Sequence, residues 1–123
     1  MKKEKVKKFL WNIIVNGIST SYIFNQDMRL MIYRIFKADI KGRISSGVYL
    51  GSKNIKIASN SFINKKCYFD ERSYIEIEEG VFLGPEVMLC TSTHKISDSN
   101  MRAGGLEEKP IIIKSGCWIG ARA

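Results

Sequence analysis

From Ile57 onward, bulky apolar residues return at every sixth position: Ile57, Ile63, Phe69 and Ile75. Ala58, Asn64, Asp70 and Glu76 follow them directly, and small residues stand four places after the first three, at Ser61, Cys67 and Ser73. The register then slips by two and resumes with Ile77, Leu83 and Leu89, partnered four places on by Val81, Val87 and Thr93. After an interruption it returns as Ile113 with Cys117 and Ile119 with Ala123. A period of six with one large and one small apolar slot matches neither a helix nor the alternation of a half-buried strand. It fits a prism of short parallel strands. Each large residue fills the inside of a flat face and each small one fits near a corner, which is the signature of a parallel β-helix. An antiparallel meander is the competing reading. The lack of Asn-Gly or Asp-Gly hairpin signals between the apolar positions speaks against it.

The first part of the chain follows a different period. Val6, Phe9, Leu10, Ile13, Ile14 and Gly17 recur at spacings of three and four, which predicts one apolar stripe of a helix with lysines at its start. Such a helix suits a membrane surface, with Phe9 and Trp11 at the headgroups, or packs on the solenoid or a neighbouring subunit. Gly17 to Tyr22 breaks it. Asn25 is placed to cap a second helix, with Asp27 in its first turn and Met28, Met31, Ile32, Ile35 and Phe36 as its apolar stripe. Arg29 and Arg34 are expected off that stripe, and Gly42 just past the helix end. The division is therefore a helical segment over 1–42 and a β-helix over 43–123. The repeat lapses over 94–109, where Gly104-Gly105 and several charges predict a loop ejected from the prism, and Pro110 restarts the strand pattern.

Composition adds bounds. A chain of 123 residues, 45% hydrophobic and 26% charged, has room for one core. No apolar run approaches the ~20 residues needed to cross a bilayer. Asn12 and Asn16 interrupt the early apolar stretch, so it does not read as a signal peptide, and a cytoplasmic location is expected. Three cysteines without a CxxC fit a reducing compartment, and Cys67 and Cys117 are expected inside, in the small-residue slot. Net charge is +8, of which five lysines less Glu4 give +4 within the first eight residues. An anionic lipid or ligand fits that arm. No nucleic-acid partner is expected, because no aromatic-basic stripe or binding motif accompanies it.

The single histidine, His94, sits where the repeat hands over to the ejected segment. Imidazole changes charge near neutral pH, so His94 is either a general base at the rim or an exposed loop residue without a role. Asn64 and Asp70 hold the second hexad slot on successive strands, as polyol-binding groups facing outward or as corner formers. Trp118 precedes an inward Ile119 and is expected to face outward, as a ligand platform or an interface residue.

Phe82-Leu83-Gly84-Pro85-Glu86-Val87, Thr91-Ser92-Thr93-His94, a loop with Arg102, Lys109-Pro110-Ile111-Ile112-Ile113 and Cys117-Trp118-Ile119-Gly120-Ala121 follow one another in that order. This succession resembles the hexapeptide-repeat acyltransferases, in particular the sugar and polysaccharide O-acetyltransferases akin to maltose and galactoside acetyltransferases. The resemblance covers about residues 57–123. It implies a left-handed parallel β-helix, a homotrimer, acetyl-CoA as donor, a sugar or glycan acceptor and no metal. It implies His94 as general base, and Asn64, Asp70 or Glu71, and Arg102 on the acceptor side. Trp118, Gly120 and Ala121 would lie along the donor channel. Family members continue past Trp-Ile-Gly-Ala into further coils that hold most of the donor. The end at Ala123 therefore reads as a truncation, and this chain alone is expected to bind acetyl-CoA weakly. A catalytically dead trimeric binding module and an acetyltransferase with a non-sugar acceptor, such as an antibiotic or serine, are the alternatives.

Overall fold

The computed structural model describes residues 1–70 and 72–123. Its strands are mostly two or three residues long: β1 (Arg43–Ile44), β2 (Tyr49–Leu50), β3 (Ile55–Ile57), β4 (Phe62–Ile63), β5 (Tyr68–Phe69), β6 (Ile75–Ile77), β7 (Phe82–Leu83) and β8 (Met88–Leu89). Then come the longer β9 (Ser92–Ile96) and β10 (Ala103–Glu108), and the short β11 (Ile111–Ile113) and β12 (Trp118–Ile119). Three parallel sheets run β1-β4-β7-β12, β2-β5-β8 and β3-β6-β11. The chain thus visits each sheet in turn and comes back one layer higher, as in a three-sided parallel β-helix.

The hexad pattern is the inside of this prism. Ile44, Ile63 and Leu83 stack in one sheet and Leu50, Phe69 and Leu89 in another, all buried. The slip by two has a structural cause. Strands of the third sheet are three residues long, and each turns two side chains inward: Ile55 with Ile57, and Ile75 with Ile77. Val48, Ser61, Cys67, Val81 and Val87 fill the small slots. Cys117 departs from expectation: it follows Ser61 and Val81 in their column but is exposed in this structure.

The corners that follow two of the three sheets share one backbone device. Each contains a residue in the left-handed region: Gly47, Lys66, Glu86 and Arg122 in one column, Asn60, Gly80 and Gly116 in the other. The left-handed residue after β4 is Lys66, so Asn64 is not the one that bends the chain there. Gly84 has a separate reason to be glycine. A side chain there would start 2.7 Å from the Ala121 nitrogen of the coil above. Between coils, Arg122 pairs with Glu86, Lys114 with Glu78 at 3.1 Å and Lys56 with Glu76 at 3.7 Å.

The amino-terminal segment closes the first coil. Helix α1 (Lys2–Trp11) runs into a π-helical stretch, Asn12–Ile18, and helix α2 (Gln26–Ile35) follows. As expected, Asn25 caps α2, its Oδ1 accepting from the Met28 N–H at 2.9 Å. The helix ends at Ile35, earlier than Gly42 suggested, and Lys37 takes the left-handed conformation that reverses the chain. The buried side of the first helix is Trp11, Val15 and Ser19, not the Val6–Phe9–Ile13 stripe. Trp11 is thus a core residue: its indole N–H donates to the Leu50 carbonyl at 2.7 Å and its ring meets Phe36 edge-on.

Arg29 is a second correction. It lies buried, with Nε donating to the Ile44 carbonyl at 3.0 Å and Nη1 to the carbonyls of Ser19, Ser21 and Phe24 at 2.8–3.2 Å. Beside it, burial pushes the Tyr33 phenol up to about 12, against the opposing pull of the Arg29 charge. A planar cation with a fork of donors gathers carbonyls of the turn around Ser19–Phe24 and of the edge of β1. Replacing it with an apolar side chain of similar length would remove these four buried or part-buried hydrogen bonds. Arg29→Met is expected to lower stability by about 3 kcal/mol, read as a reduced denaturant midpoint at unchanged slope.

Candidate active site

The repeat lapses after β8 because the chain leaves the prism as an antiparallel hairpin. The segment expected as an ejected loop is largely β9 and β10, with His94 opposite Leu106, Thr93 opposite Glu107 and Ser92 opposite Glu108. A bulge interrupts the pairing between Ala103 and Leu106, at Gly104-Gly105. An extra residue there re-aims the backbone. The Gly104 carbonyl meets His94 Nδ1 at 2.7 Å. A carbonyl can only accept, so Nδ1 is the donor, and in the neutral ring the lone pair lies on Nε2. The imidazole itself is exposed. Glycine is needed at 104, because a side chain would start 2.9 Å from the Lys95 carbonyl oxygen and 3.0 Å from Ser97 Cβ. The Gly-Gly pair was the sequence signal for this carbonyl, but it indicates only a flexible or tight backbone and not which group it presents.

Asp70 fixes the hairpin root. Its side chain is buried and faces neither solvent nor an open cleft. Its carboxylate accepts from the Thr91 hydroxyl, from the Thr91 N–H at 2.8 Å and from the Ser92 hydroxyl at 3.2 Å. Thr91 Oγ1 in turn accepts from the Ser73 N–H at 2.9 Å, and the Thr91 carbonyl accepts from the Lys109 N–H at 2.8 Å. Burial opposes charge on Asp70, but the hydrogen bonds, led by Thr91, outweigh it and hold the carboxyl below the usual carboxylate range. Cys90, Thr91, Ser92, Glu107, Lys109 and Pro110 help line a cavity of about 260 Å³ at this root, and His94 lies outside its lining.

The other sequence-predicted residues fall into two groups. Arg102 belongs to the hairpin, where its Nη1 donates to the Ser97 carbonyl at 3.3 Å. Asn64, Trp118, Gly120 and Ala121 belong to the β1-β4-β7-β12 side. Asn64 is half-buried and its Oδ1 accepts from the Lys65 N–H at 2.8 Å. Trp118 is 79% exposed, as expected for an outward residue, and stands in register with Phe82 and Phe62. The amide hydrogen bonds from Asn64 to Leu83 and from Gly84 to Ile119 put Asn64, Gly84 and Gly120 in one column. Glu71, the alternative to Asp70, lies outside the described residues.

The chain is similar to a Schizosaccharomyces pombe protein named "Putative acetyltransferase", at 40% identity over 68 residues that cover 54% of this chain and 32% of that one. A Dictyostelium discoideum protein of the same name is 38% identical over 71 residues, 57% of this chain and 37% of its own. The galactoside O-acetyltransferase of Lactococcus lactis is 27% identical over 71 residues, 58% and 34% of the two chains. The alignments thus span about a third of the length of these relatives. No protein-family model matches the chain, and no solved structure does. What the three comparisons share is sequence kinship with acetyltransferases at modest identity.

The Asp70 network yields a prediction with a sign. Folding lowers this carboxyl's pKa, so it contributes stability above the ordinary carboxylate range. That contribution disappears as pH falls through the folded value. Asp70→Asn replaces one carboxylate oxygen by an amide donor, so the Thr91 N–H and the two hydroxyls no longer all find an acceptor. At neutral pH, amide exchange at Thr91 and Lys109 is expected to speed up by about tenfold or more. The unaltered chain should lose the same protection on acidification, after correction for the intrinsic pH dependence of exchange.

Proposed function

We propose that this chain carries the acceptor side of an acetyl-CoA-dependent O-acetyltransferase for a sugar or polysaccharide-precursor hydroxyl, built on a left-handed parallel β-helix. The observation that carries this reading is the oriented imidazole: Nδ1–H donates to Gly104, which leaves the Nε2 lone pair of an exposed ring free to take a proton. As the acceptor oxygen attacks the thioester carbonyl, Nε2 takes the hydroxyl proton. The carbon–sulfur bond breaks, and the imidazolium returns that proton to the departing thiolate.

On this reading Arg102, on the same hairpin, meets the acceptor together with Asn64. Asp70 serves by holding Thr91 and Ser92 at the hairpin root, and Glu71 is the remaining acidic candidate on the acceptor side. The strip Trp118–Ala121 suits a slender thioester arm. His94 and this strip belong to different parts of one chain. The reading includes a homotrimer, in which one copy's hairpin meets the neighbour's Asn64–Gly120 column. Outward Phe62, Phe82 and Trp118 offer apolar surface for that packing. Use of acetyl-CoA fits the cytoplasmic location expected from the sequence, with which the three cysteines agree.

The test is made in a form of the protein that acetylates a galactoside or glycan precursor from acetyl-CoA. His94→Ala is expected to lower kcat by about 10²–10⁴ with little change in the KM for acetyl-CoA. Trp118→Ala is expected to raise that KM more than it lowers kcat. Full activity of the His94→Ala protein rules out the proposed base.

A further inference from the structure

We propose that the amino-terminal helix is a docking surface for an anionic phospholipid bilayer, on which it lies parallel to the membrane plane. Among the described residues, α1 buries only Trp11, and every residue from Met1 to Leu10 is exposed. The side opposite Trp11 and Val15 is apolar. Val6, Phe9, Leu10 and Ile13, spaced to share one helical face, are 42–62% exposed. Ile18 and Ile23 add exposed apolar surface beyond them.

Charge selects the occupant. Five lysines less Glu4 put +4 on the first eight residues. At helical spacing Lys2 continues the apolar stripe at its amino-terminal end, and Lys3 and Lys5 flank it. Parallel pairing with a second copy through this stripe would bring two such clusters together. Anionic headgroups would neutralise them, while long lysine stems leave the apolar face free to sink among the acyl chains. The usual interfacial aromatic is spent elsewhere: Trp11 faces the prism and hydrogen-bonds Leu50. Phe9 is therefore the aromatic residue offered to lipid. Trp11, Val15 and Ser19 hold the helix on the first coil, so the solenoid is carried at a fixed attitude to the surface.

The experiment uses the full chain and sedimentation with vesicles of phosphatidylcholine, either pure or mixed equally with phosphatidylglycerol. Binding is expected to the mixed vesicles, much weaker binding to the pure ones, and release as salt is raised. Lys2→Gln, Lys3→Gln and Lys5→Gln together should weaken binding about 10²-fold. Phe9→Ser with Ile13→Ser keeps every charge and should also release the protein. Both residues are exposed, so an unchanged melting midpoint serves as the folding control. Equal binding to both vesicles, binding to neither, or binding indifferent to the Phe9 and Ile13 changes overturns the proposal. So does a lipid-free oligomer that dissociates on those two changes, since it assigns the stripe to a second copy.

Discussion

A coil made of two-residue strands cannot close itself. Each strand spends half its backbone groups on the coil above and offers the other half downward, so the structure depends on whatever meets the first coil from below. Here the three faces are met by three different devices. Asn16 behaves like a strand on the β2 edge: its Oδ1 accepts from the Leu50 N–H and its Nδ2 donates to the Leu50 carbonyl, both at 2.9 Å. Arg29 takes the Ile44 carbonyl on the β1 edge. On the β3 edge the chain itself does the work, with Ile57 bonded to Asp39 and Lys41. The helical segment is thus less a separate domain than the floor of the prism.

This explains what could be read in advance. Inward positions repeat because every coil faces the same inside, so Ile63, Phe69, Leu83 and Leu89 announced the prism without any structure. Asn25 announced its helix because capping is local. The floor was not legible in the same way. Whether Trp11 or Phe9 faces the body depends on where the helix docks, and an apolar stripe is equally visible on either side. A buried arginine is no different in sequence from a solvated one, because its partners are backbone carbonyls that carry no residue identity. Cys117 shares its slot with buried residues and differs only in the layer it occupies.

The candidate site divides along the same line. His94 was legible because it is the chain's one histidine and interrupts a repeat. Its orientation was not, because the group that sets it is the Gly104 carbonyl, placed by a bulge. Asp70 was expected as an outward polyol-binding group or a corner former, and it is buried instead. Its burial follows from the position of Thr91, which donates both its hydroxyl and its N–H to the carboxylate. The hairpin is therefore anchored at its root by one carboxylate and tuned near its middle by one glycine, and between them sits the imidazole.

The inter-coil ion pairs have little worth as stability, since exposed pairs of this kind contribute roughly 0–1 kcal/mol. Their order along the stack has another consequence. Up the corner column the charges read Lys66, Glu86, Arg122, each a left-handed residue directly above the last. A chain that skipped one coil while stacking would keep its apolar interior, because one hexad resembles the next, but it would set Lys66 beneath Arg122. It would likewise take Lys56 from Glu76 and leave it under Ile112. In a fold whose inside is nearly degenerate, the alternating surface charges number the layers.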